Sequence, residues 1–112
     1  MKKVKLLPMG WSLESNSEDA IVYRFNGVHE ARGIRKEMTL RIKITNWFYW
    51  FEVTYPYAFG DTKSKKFNID KRKDLDKIRK FVSNLMDDIT RQFYGLSRKR
   101  TPIYNIKLPK AK

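Results

Sequence analysis

No cysteine occurs in the 112 residues, and His29 is the only histidine. The first absence excludes disulfides, cysteine-ligated zinc and thiol nucleophiles. The second leaves any serine–histidine or metal–histidine arrangement resting on one imidazole, which lies beside an expected hairpin turn and reads as solvent-exposed. Glycine is scarce, and Gly27 and Gly33 stand isolated, so neither a Walker-type nor a dinucleotide-binding phosphate loop is present. Acids number 12 against 25 lysines and arginines. Glu18-Asp19, Asp87-Asp88 and the group Asp70, Asp74 and Asp76 do not converge from separate elements as a two-metal site requires. Asp70 reads instead as a helix cap, Asp74 as a partner of the helix dipole, and Asp87 and Asp88 as polar-face residues within reach of Arg91. No apolar run approaches the roughly 18 residues that span a bilayer. The opening MKKVKLLPMG is broken by Pro8 and Gly10 before a signal-peptide core can form. A cytoplasmic protein with no catalytic residue, metal ligand or cofactor is expected.

What the chain does hold is positive charge, a formal +13, unevenly spread. Residues 1–62 carry 9 basic and 7 acidic side chains; residues 63–112 carry 16 and 5. A field of this sign attracts phosphate polymers, anionic lipid surfaces and acidic proteins.

Periodicity predicts an α+β fold: an antiparallel sheet of about four strands, with one long C-terminal amphipathic helix packed on one face. KVKLL is a short candidate strand, and SLESNSED reads as loop. AIVYRF, residues 20–25, is β-branched and aromatic and ends at Asn26-Gly27, a strong hairpin signal. In EMTLRIKIT the apolar Met38, Leu40, Ile42 and Ile44 alternate with Thr39, Arg41, Lys43 and Thr45, the pattern of a half-buried strand. NWFYWFEVTY is apolar on both parities and belongs either in the middle of the sheet or against a partner. SKKFNI, with Lys63, Lys65 and Lys66, reads as a lysine-protected edge strand. Over residues 71–94 the period becomes helical, through Leu75, Ile78, Val82, Leu85, Ile89 and Phe93, and Gly95 suits the helix end. These elements place one α+β domain over residues 1–95. Residues 96–112, with six cations, no acid and two prolines, form a basic tail that is disordered or ordered only against something else.

The succession WFYWFEV, a glycine-containing turn, KSKKFNI and a helix near DKRKDLDKI resembles the sheet-then-helix order of arm-binding domains in tyrosine recombinases. It is also similar to the four-strands-plus-helix unit of Pur-type and Whirly-type single-strand binders. Both likenesses imply a sheet laid on nucleic acid; neither carries a residue role. A small, cysteine-free, lysine-rich chain also looks like many phage and mobile-element proteins.

Cations beside flat rings are the chemistry of nucleic-acid platforms, where ammonium groups meet phosphates and bases stack on aromatics. Arg41, Lys43, Lys65, Lys66, Arg72, Lys73, Lys77, Arg98 and Arg100 are the expected phosphate contacts, and Trp47 and Trp50 the stacking rings, one of the two exposed. The expected function is non-catalytic binding of nucleic acid, DNA ahead of RNA, with low sequence specificity. The alternative is a regulator or inhibitor that docks on an acidic protein surface, since tryptophan, tyrosine and arginine also dominate protein interfaces. Membrane binding ranks last, and an exposed aromatic strand would serve equally as a homodimer seam.

Overall fold

The computed structural model of the chain describes residues 3–4, 7–56, 62–70, 72, 74–97 and 102–109. Its elements in order are β1 (Lys3–Val4), β2 (Trp11–Asn16), β3 (Ala20–His29), a single 3-10 turn (Glu30–Arg32), β4 (Ile34–Ile44), β5 (Phe48–Pro56), β6 (Thr62–Asp70), α1 (Leu75–Tyr94) and β7 (Ile103–Tyr104). Strands β2 to β6 form a five-stranded antiparallel sheet in sequence order, and β1 pairs in parallel with β7. The fold is therefore α+β, with one more strand in the main sheet than the periodicity predicts.

The additional strand is β2, which occupies most of the segment expected to be loop. Its sequence, WSLESN, buries only Trp11, because as an edge strand it needs one anchoring ring and not an alternating apolar row. A register shift between Leu13 and Ser15 bulges it.

A second correction concerns Asn26-Gly27. The chain does not turn there; β3 continues to His29, and the hairpin to β4 closes at Gly33, which is left-handed with φ 64°. Gly27 serves close approach instead. A Cβ there would lie 2.6 Å from the Phe25 ring and 2.8 Å from the Phe93 ring, so its missing side chain lets the end of α1 settle on the sheet. His29, expected in solvent, is half-buried and stacked at 6.3 Å on Tyr94.

Ile21, Tyr23 and Phe25 of β3, Leu40 and Ile42 of β4, and Tyr49, Phe51 and Val53 of β5 meet Ile78, Val82 and Met86 of α1 in one cluster. The helix crosses the sheet diagonally: Phe81 packs on Phe51 and Phe67 of β5 and β6, whereas Phe93 packs on Phe25 and Thr90 accepts from the Trp11 indole at 3.0 Å. The helix starts at Leu75, four residues later than its period suggests. Its cap is Asp74, whose Oδ1 accepts from Asp76 N at 2.7 Å, and not Asp70, the last residue of β6. Asp87, expected on the polar side, is buried and ion-paired with Arg91 at 2.7 Å.

A diagonal helix leaves one corner of the sheet bare, and residues 102–109 cover it. Ile103, Ile106 and Pro109 are buried. Ser83 Oγ accepts from Tyr104 N, the Tyr23 hydroxyl accepts from Lys107 N, and Arg79 Nε donates to the Ile106 carbonyl, at 2.9, 2.9 and 3.0 Å. The Tyr49 hydroxyl donates to the Pro109 carbonyl at 3.4 Å. Part of the expected tail is thus a strap ordered against the sheet itself, while Arg98, Arg100 and the last three residues lie outside the described ones.

The strap also carries an alkaline dependence. Burial raises the pKa of Tyr23, Tyr49 and Tyr104 above the ordinary 10.0, with the Asp87 carboxylate adding to the rise at Tyr104. The unfolded chain therefore loses these protons first as pH rises, so their contribution is intact below about pH 10 and lost on passing through the raised values. Urea midpoints followed by circular dichroism should show this fall above about pH 10, and the fall should be shallower in Tyr23→Phe, which has one phenol fewer to ionise.

Candidate functional site

Helix and strap occupy one face of the sheet; among the described residues no element covers the other. Strand alternation decides what that open face carries. Even residues of β3, odd residues of β4 and even residues of β5 and β6 point to it, because Ile21, Leu40, Phe51 and their like are committed to the core. One cross-strand row reads Ala20, Lys43, Trp50, Asn68, and the next Val22, Arg41, Glu52, Lys66.

The register thus selects the Phe48–Trp50 row of β5, and not Tyr49 and Phe51, to share a face with Arg41 and Lys43. Lys43 Nζ sits 5.3 Å from the Trp50 ring centroid and Lys66 Nζ 5.9 Å from it, one lysine from each flanking strand. Each such contact contributes roughly 0.5–1 kcal/mol at an exposed site. Glu52 lies between Arg41 and Lys66 in the register, a cross-strand arrangement that offsets part of their repulsion.

Trp47 belongs to the β4–β5 turn at the same end of the sheet and is 74% exposed. Its backbone is firmly held. Thr45 N donates to the Phe48 carbonyl at 2.8 Å, and the Thr45 hydroxyl oxygen accepts from Phe48 N at 2.9 Å and Trp47 N at 3.3 Å. Phe48, the next residue, is 43% exposed. Both tryptophans therefore reach solvent, Trp50 in part and Trp47 almost wholly, where only one was expected to.

The opposite end of the open face is electrically balanced, with Arg24 and Arg35 standing against Glu14 and Glu37. Arg24 Nε donates to Glu14 Oε1 at 2.7 Å, and its NH1 lies 3.6 Å from Glu37 Oε2. These exposed pairs contribute little to stability, about 0–1 kcal/mol each. Their consequence is positional: the uncompensated cations of the face gather at the tryptophan end.

The remaining expected phosphate contacts divide. Lys65 has the opposite parity to Lys66 and lies exposed on the β6 edge. Lys77 is exposed on α1 and lines a groove with Asn68, Ile69, Asp70, Ile78 and Phe81, on the helix side of β6. Arg72 forms a bidentate pair with Asp70, with NH2–Oδ2 at 2.8 Å and Nε–Oδ1 at 3.1 Å, and the carboxylate raises its pKa. Lys73, Arg98 and Arg100 lie outside the described residues. The structure therefore brings Arg41, Lys43, Trp50 and Lys66 together with Trp47 beside them, and places Lys65, Arg72 and Lys77 around the β6 margin. Phe48 joins this group. Its parity with Trp50 was legible, but the turn that exposes it was not.

Among the described residues no three His, Asp or Glu side chains form a metal-holding group, and no helix is long and apolar enough to cross a membrane. No protein-family model, curated protein or solved structure matches this chain.

Proposed function

We propose that the chain is a non-catalytic nucleic-acid-binding protein that uses the open face of its sheet. The observation that carries this reading is the placement of Lys43 and Lys66 on either side of Trp50, on an uncovered surface ending in an exposed Trp47. Two fixed ammonium groups and flat apolar rings match a ligand that repeats phosphate and base. The formal charge of +13 supplies long-range attraction for the same ligand. Lys65 and Lys77 extend the positive margin around the β6 edge, where Asp70 neutralises Arg72. Binding through phosphates leaves little sequence preference, since the phosphate is the same at every base.

Salt titration tests the reading. Three phosphates met by Arg41, Lys43 and Lys66 give a slope of log affinity against log salt of about −2, and a loss of roughly tenfold to twentyfold between 50 and 200 mM salt. Fluorescence anisotropy of a labelled oligonucleotide should show at least this loss. Affinity that barely changed with salt would rule out a phosphate-based interface. Equal competition by polyglutamate would transfer the surface to an acidic protein partner, for which exposed Trp47 and Phe48 would be the anchors.

A further inference from the structure

We infer that the open face takes a single strand in preference to a duplex, with Trp47 as the stacking ring and Trp50 as the spacer that positions Lys43 and Lys66. This rests on the nucleic-acid reading above and assigns different work to two tryptophans that composition treats alike.

Trp50 is half-buried in the middle of the patch, and an ammonium group from each flanking strand lies over its ring. A base could stack there only by displacing a lysine from an attractive position. The ring's effect is to hold two long, flexible side chains in place before any ligand arrives, which lowers the ordering cost of binding phosphates.

Trp47 has the opposite circumstances. Its ring takes no part in the core, yet the turn beneath it is pinned by the Thr45 backbone and hydroxyl. A large apolar ring held out in water on a rigid mount is suited to a flat partner that is itself mobile until bound. Unpaired bases offer such faces; paired bases keep theirs stacked inside the duplex. Phe48, on the same strand and the same parity as Trp50, continues the aromatic surface from the turn toward the lysines.

The extent of the face limits how much strand it holds. From the turn to the row of Arg41 and Lys66 is about five residues of β5, roughly 17 Å. Beyond that row stand Glu14 and Glu37 with Arg24 and Arg35, two acids against two cations, which offer phosphates no net attraction. The footprint should fall at the short end of the roughly 4–16 nucleotides that single-strand folds occupy.

The test uses the full chain with oligo-dT of 4, 8 and 16 nucleotides and a mixed-sequence duplex of 16 base pairs, all in one low-salt buffer. The single 16-mer should bind at least ten times more tightly than the duplex and quench tryptophan emission. Trp47→Ala should weaken oligo-dT binding roughly 5- to 100-fold, as expected for one lost stacking contact, with its salt slope unchanged. Trp47→Phe should recover most of it. The Lys43→Ala/Lys66→Ala double variant should keep the quenching and lose about 1.4 from the magnitude of the salt slope. Melting temperatures like that of the parent chain establish that these substitutions leave the fold intact. Duplex bound as tightly as single strand, or Trp47→Ala indistinguishable from the parent, would overturn this inference and leave salt-dependent binding standing. Binding of neither ligand would overturn the broader reading with it.

Discussion

Ile106→Ala is expected to lower the free energy of unfolding by about 2–5 kcal/mol, a large share of the roughly 5–15 kcal/mol of a typical domain. Ile106 is 1% exposed and belongs to the central cluster although it lies 12 residues beyond the end of α1. Truncation removes apolar contact and leaves a void, because its surroundings are tied in place. On either side, the Tyr104 and Lys107 amides are held by Ser83 and Tyr23, and its own carbonyl is held by Arg79. Urea unfolding should show a lower midpoint with an unchanged slope. Were residues 102–109 a loosely attached basic tail, the change would stay within about 0.5 kcal/mol. Lys107→Ala, which removes an exposed side chain and keeps the backbone donor, serves as the control and should be near neutral.

Asp87→Ala should be comparably damaging. The Asp87 side chain is 7% exposed and that of its partner Arg91 17%, with Nε–Oδ2 at 2.7 Å. Removing one member of a buried pair leaves the other charge uncompensated, a loss of about 3–5 kcal/mol. The lower end applies here, because Arg91 keeps a hydrogen bond to the Ser97 carbonyl and some access to water. The same carboxylate helps raise the pKa of Tyr104, the last residue of β7, so the substitution also disturbs the strap there. Two measurements follow: unfolding midpoints of Asp87→Ala, Arg91→Met and the double variant, and amide exchange at Ile103 and Tyr104. The double variant should be less destabilised than the sum of the singles, since neither charge is then stranded. Strict additivity would mean that the pair is a passive surface contact.

Much of the fold was legible because its signals are local. Met38 to Ile44 alternate and become the core-facing and open rows of β4; Ile78, Val82 and Phe93 recur at helical spacing and become the contacts of α1. The lysines of SKKFNI do mark a sheet edge. Three local signals misled for physical reasons. Asn26-Gly27 has turn chemistry, but Phe25 and Phe93 need the space its glycine leaves. Asp70 precedes the helical period, but it is held at the end of β6 by pairing with Phe48, so capping falls to Asp74. The polar SLESN shows little alternation, but an edge strand exposed along all but its first residue requires almost none.

For the candidate site, the amino-acid sequence alone determined the types of side chain and which residues within one strand share a face. These depend on composition and on the two-residue repeat of extended backbone, both local properties. Tertiary structure alone decided that Lys43 and Lys66, 23 positions apart, sit over one indole, that Arg24 is held between two carboxylates, and that part of a basic segment is core. Inter-strand register and the diagonal path of the helix produce these results. Both arise from packing between residues far apart in the chain, which no local pattern encodes.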